Sequence, residues 1–142
     1  MSITGITSID HSAQVAAEWL NEMGDKLDWT DNRRTHLLFR TTLHAVRDWL
    51  TVDEAADLAA QLPMLIRGIY FEGWNPSSNP VHPRTKADFL ARVTKAFEKD
   101  PLEDAEAAVS AVFSVLAKHV SSGEIDQVRK AMRKDIQELW PQ

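Results

Sequence analysis

The stretches TVDEAADLAAQLPMLIRGIY at 51–70 and SSGEIDQVRKAMRKDIQELW at 121–140 decide the fold, because they read as one helical plan written twice. Each opens on a hydroxyl followed three residues later by a glutamate, the reciprocal capping pattern at a helix start. Each then carries apolar residues at helical spacing, Ala55, Leu58, Leu62, Ile66 and Ile69 in the first and Ile125, Val128, Met132, Ile136 and Leu139 in the second. The likeness extends outward in residue class. Residues 12–70 match 82–140 at a shift of 70, pairing Trp19 with Phe89, Leu43 with Phe113, Leu58 with Val128 and Tyr70 with Trp140.

Upstream, Val15, Trp19, Met23 and Leu27 recur every four residues and predict a helix from about Ser12 to Asp28. Gly24 weakens it by about 1 kcal/mol relative to alanine. Thr30 is the expected cap of a second helix, whose buried stripe is Leu38, Thr42, Ala45 and Trp49 and whose polar back carries Arg33, Arg40, Arg47 and Asp48. Pro63 falls inside the third helix, where proline costs about 3 kcal/mol, so a kink or break is expected there. The second copy repeats the scheme. Thr85 with Asp88 makes a capping box, Asp100 with Pro101 is the expected start of the next helix, and Ser121 with Glu124 opens the last. Arg133 stands where the first copy has proline, so the final helix reads as continuous.

The expected architecture is therefore all-α: one helical domain spanning 1–142, a bundle of two tandem three-helix repeats with about six helices in all. Repeat one runs over about 12–72 and repeat two over about 85–140. Between them, at about 73–84, lies a proline-rich linker.

Composition narrows the chemistry. The absence of cysteine excludes thiolate metal sites and thiol nucleophiles, and 21 acidic against 16 basic residues, a net charge of -5, opposes general attraction to nucleic acid or anionic membranes. No apolar run approaches the roughly 20 residues that span a bilayer, and residues 1–6 lack a signal-peptide layout, so a cytoplasmic protein is expected.

No motif announces catalysis or a cofactor. His11, His36, His44, His82 and His119 lack metal-ligand spacing. The acidic run Asp100, Glu103, Asp104 and Glu106 suits a helix start, and the basic run Arg129, Lys130, Arg133 and Lys134 suits a helix end. With Arg33 and Arg34 that basic run is the only basis for a nucleic-acid reading, and it lacks interleaved aromatics. No phosphate loop or nucleophile elbow is present. The candidate binding residues are Arg67, Tyr70, Glu72 and Trp74, which gather two aromatics, a cation and an anion beside the linker. Their structural explanation is equally concrete: Ile69, Tyr70 and Trp74 pin the linker while Arg67 pairs with Glu72.

Leu43 to Leu50, Gln61-Leu62-Pro63, Arg67 to Trp74 and Asp135 to Pro141 together resemble the bacterial domain-of-unknown-function 2267 family, from roughly residue 10 onward. The run Tyr70-Phe71-Glu72-Gly73-Trp74 before a proline-containing linker is the most specific part. The resemblance implies an all-helical bacterial protein, alone or beside regulatory modules, with no established activity and no catalytic residue to carry over. The leading expectation is an interaction or regulatory module that binds a protein partner or itself, without chemistry of its own. The alternatives are a small-molecule or metal-dependent enzyme or binding protein with a pocket between the repeats, fed by Arg67, Tyr70, Glu72 and His44 or His82, and nucleic-acid binding through the last helix.

Overall fold

A computed structural model describes residues 2–82 and 84–141; Pro83, assigned from sequence to the linker, lies outside them. The described residues form eight α-helices, one short 3-10 turn and no strand. In order these are α1 (Thr7–Leu27), α2 (Asn32–Trp49), α3 (Val52–Ala60), α4 (Met64–Phe71), the turn Pro76–Ser78, α5 (Lys86–Lys95), α6 (Ala105–His119), α7 (Ser122–Lys130) and α8 (Lys134–Gln137). None is long and apolar enough to cross a membrane.

Eight helices replace the expected six because both closing helices break. Pro63 breaks the first at φ -58, ψ 154, because it has no N–H to give Ala59 and its ring would clash with that carbonyl in a continuous helix. Arg133 does the same at φ -64, ψ 152, against the continuous helix read from sequence. No ring forces that break. It lets Ile136 and Trp140 turn into the core, where Trp140 stacks on Phe113 with ring centroids 3.9 Å apart, while Gln137 Nε2 donates to the Met132 carbonyl freed by the break (2.7 Å).

Two helix starts also differ from expectation. α2 is capped by Asp31, whose carboxylate accepts the Arg33 amide, rather than by Thr30. α1 ends in left-handed Asp28, and the Trp29 amide reaches back to the Gly24 carbonyl (2.9 Å), so the connection consumes Thr30. Gly24 belongs to the same closure, since a Cβ there would meet the Trp29 carbonyl oxygen at 3.0 Å. α6 is capped by Asp104, not Asp100. Asp100 is held elsewhere, its carbonyl and carboxylate both bound by Arg34. The Thr51–Glu54 and Thr85–Asp88 boxes are complete, whereas Ser121 accepts from the Glu124 amide without the return bond.

The buried side chains form one cluster drawn from all eight helices. Its packing crosses the chain: α1 lies against α6 as well as α2, α5 against α2 as well as α6, α2 against α6, and α3 against α7. Helices early in the chain are thus completed by helices late in it.

Candidate functional site

Each of the four candidate residues is engaged at the α4 end of the molecule. Tyr70 is buried, and its hydroxyl donates to the Ala55 carbonyl (2.9 Å), tying α4 to α3; burial pushes its phenol well above the usual range. Arg67 spans the Pro63 break, donating to the carbonyls of Ala59 (2.8 Å) and Leu62 (2.9 Å) at the end of α3. Those carbonyls have lost their helical donors, so a guanidinium there acts as a C-terminal cap. Glu72 does not pair with Arg67. Its partner is Arg40 on α2, at 3.4 Å. Trp74 stacks on Phe71 and donates from Nε1 to Asn79 Oδ1 (2.8 Å). Asn79 in turn gives its amide hydrogens to the carbonyls of Arg47 (2.7 Å) and Leu50 (2.9 Å).

The linker therefore caps α2. With no glycine at its C-terminus, α2 has its last carbonyls satisfied by Asn79, by the Val81 amide on Asp48 (2.9 Å) and by Arg84 on Trp49 (2.9 Å). Arg84 also reaches the Ala131 carbonyl of α7's end (3.2 Å), bridging early and late segments of the chain.

At the centre sits a residue that the sequence pattern puts on the polar back of α2. Arg47 is only 3% exposed. Its guanidinium donates to the carbonyls of Tyr70 and Glu72 at the end of α4, both at 2.8 Å, and to both carboxylate oxygens of Asp48. Asp48 also pairs with Arg92 of α5. Burial raises the Asp48 pKa, but the two guanidinium groups outweigh it and hold the carboxyl below its ordinary value. A signal for this burial exists in the sequence: Arg47 lies four residues after Leu43 and three before Leu50, on the apolar stripe. His44, one turn earlier, meets the Ile69 carbonyl through Nε2 (2.7 Å), and burial lowers its pKa.

Of the residues expected to feed a pocket, Arg67, Tyr70, Glu72 and His44 are engaged in these bonds, and His82 is exposed in the linker. Two clefts lie beside Arg34, at the opposite end of α2. One, of about 440 Å³, lies between the start of α2 and the end of α5; another, of about 620 Å³, lies between the end of α1 and the start of α6. Arg34 divides them, its guanidinium held between the rings of Trp29 (4.8 Å) and Phe97 (5.0 Å) and bonded to Asp100.

The other charge runs are largely occupied. Asp104 caps α6 and Glu106 pairs with Lys86, while Arg129 meets Asp126 (3.3 Å) and Arg133 meets Asp135 (3.8 Å). His119 stacks on Trp19 and contacts Glu22 (2.8 Å). Burial and the neighbouring Asp57 and Glu54 raise the Glu124 pKa where α3 meets α7. Among the described residues no three histidine, aspartate or glutamate side chains are grouped to hold a metal ion.

The outer face of α4 is apolar and open to solvent. Met64 is 53% exposed, Leu65 41% and Phe71 37%, and between them Gly68 has open space where a Cβ would stand. The family model described as "Uncharacterized conserved protein (DUF2267)" matches residues 16–139. No curated protein matches the chain.

Proposed function

The chain belongs to the DUF2267 family, whose members are uncharacterised, and from that premise we propose that it is a cytoplasmic interaction module that self-associates through the outer face of α4. One domain of two tandem repeats, about 12–72 and 85–140, is the scaffold in this reading. Each repeat closes on a broken helix pair, since α3 and α7 begin 70 positions apart, as do α4 and α8.

The observation that carries the reading is a difference between those pairs. Met64, Leu65, Gly68 and Phe71 on the exposed face of α4 correspond, 70 residues on, to Lys134, Asp135, Glu138 and Pro141. A helix used only as scaffold shows water the charged set; α4 shows it methionine, leucine and phenylalanine. This face is also rigid. Arg47, Arg67 and Tyr70 fix α4 from beneath, and a preordered surface loses little conformational entropy on binding. Phe71 stacked on Trp74, beside the Arg40–Glu72 ion pair, supplies an aromatic anchor with a polar rim. Nothing in this surface calls for chemistry, which favours association over catalysis.

Sedimentation equilibrium tests it. The wild-type mass should rise with protein concentration, and Met64→Lys, which installs the residue found at 134, should hold the protein monomeric without lowering its unfolding midpoint. A wild type that stays monomeric at high concentration, or an association that Met64→Lys leaves intact, would overturn the proposal.

A further inference from the structure

The two clefts beside Arg34 are counterparts in position and opposites in charge. The smaller is lined by Arg33 and Leu37 at the start of α2 and by Lys95 to Asp100 at the end of α5. Adding 70 to the first group, or subtracting it from the second, leads to Glu103 and Ala107 at the start of α6 and to the residues ending α1, where the larger cleft lies. Each cleft is thus built from the second helix of one half and the first helix of the other, which is the packing of α2 with α5 and of α1 with α6. A rough two-fold exchange of the halves relates them.

The rims have diverged. Arg33 becomes Glu103, Glu98 becomes Asp28 and Lys99 becomes Trp29, while Ala96 becomes Lys26. In the smaller cleft Arg33, Lys95 and Lys99 have no side-chain partner among the described residues, whereas two of the lining acids are occupied: Asp31 caps α2 and Asp100 binds Arg34. With Arg34 and Asp100 offsetting each other, three cations face two carboxylates, Glu98 and the capping Asp31. The floor is apolar, made by Leu37, Ala96 and the buried Phe97, whose ring is covered on one side by the Arg34 guanidinium.

We infer that this cleft is a binding site for a small organic anion with an apolar body, an aromatic or acyl carboxylate, sulfonate or phosphate. The anionic group meets Arg33, Lys95 and Lys99 at the rim, and the apolar body lies on Leu37 and Ala96. The volume of about 440 Å³ falls within the ordinary range for small-molecule sites of roughly 300–1,000 Å³. The larger cleft sets Asp28, Glu103 and Asp104 against Lys26 on its rim, an acidic balance that disfavours the same ligand. The inference is independent of self-association, because the cleft and the α4 face share no residue.

The test is a titration of the full chain with 1-anilinonaphthalene-8-sulfonate, followed by fluorescence and by amide chemical shifts. Saturable one-to-one binding is expected, with shifts centred on Arg33 and Lys95 to Lys99 and affinity falling as salt rises. Arg33→Glu with Lys99→Glu should weaken binding at least tenfold, and the milder Lys95→Gln with Lys99→Gln should weaken it less; circular dichroism should match wild type for both. Met64→Lys should leave the affinity unchanged. Absence of saturable binding, shifts centred on α4 or on the acidic cleft, or charge-reversed protein that binds as tightly as wild type would each overturn the assignment. None of these results would bear on the sedimentation experiment.

Discussion

The two closing helix pairs, α3–α4 and α7–α8, adopt the same backbone plan from different causes. At Pro63 the ring breaks the helix, and at Arg133 the pull of Ile136 and Trp140 into the core does so. Beneath α4 the chain has a buried charged anchor, Arg47 with Asp48; the corresponding residues on α6 are Ala117 and Lys118, and Lys118 turns outward to Glu22. The difference teaches where the first half departs from scaffold duty. α4 is clamped from below by guanidinium bonds and left apolar above, a combination that the second half does not reproduce.

The largest expected effect comes from removing that clamp. Arg47→Ala gives the first half the residue of the second at position 117, but it strands the carbonyls of Tyr70 and Glu72 and leaves Asp48 with only Arg92. Breaking a buried pair in this way costs about 3–5 kcal/mol. Urea unfolding should report that loss, and a midpoint within error of wild type would mean that the two halves are anchored alike.

A smaller contrast is visible in pH. His44 corresponds to Ser114, and burial holds its folded-state pKa below the ordinary 6.5. The unfolded chain therefore takes up the proton first, so the contribution is complete above about 6.5 and declines as pH falls toward the folded-state value. Asp48 acts with the same sign at lower pH, its depressed pKa stabilising the fold above the usual aspartate range and losing that effect as pH falls through the folded-state value. His44→Ser should flatten the stability profile just below pH 6.5 while leaving the steeper acid limb. An unchanged profile there would remove His44 from the comparison.

The smallest effect is the most direct test of equivalence. Arg133 already holds φ -64 and ψ 152, within a few degrees of Pro63. Arg133→Pro removes only the loose Arg133–Asp135 ion pair, so it should raise stability by about 0.4–1 kcal/mol through the unfolded chain, read as a higher urea midpoint. A fall of several kcal/mol would show that the two breaks differ in a way their dihedrals conceal.

Reading these residues in sequence succeeded where the cause was local. The Thr51–Glu54 and Thr85–Asp88 boxes lie within four residues, and the Pro63 break follows from one ring. It failed where a distant group intervened. Arg34, 66 positions away, takes the Asp100 that was expected to cap α6, and Trp140 bends the chain at Arg133. The candidate residues Arg67, Tyr70, Glu72 and Trp74 are each tied into the scaffold; the exposed Met64, Leu65 and Phe71 beside them lie off the stripe of Ile66 and Ile69 on the same short helix. An overall helical period does not distinguish the covered side of a short helix from its free side when both are apolar.

By itself the sequence determined helix type, two capping boxes, the break at Pro63 and the family, because hydrogen bonding over four residues and ring geometry need no partner from elsewhere. Tertiary structure alone decided which carbonyls Arg47 meets, that α1 lies on α6 and α5 on α2, that the linker caps α2, and that two clefts flank Arg34. Those outcomes depend on which carbonyls and rings meet across scores of residues, where burial and charge pairing over the whole core outweigh any local preference.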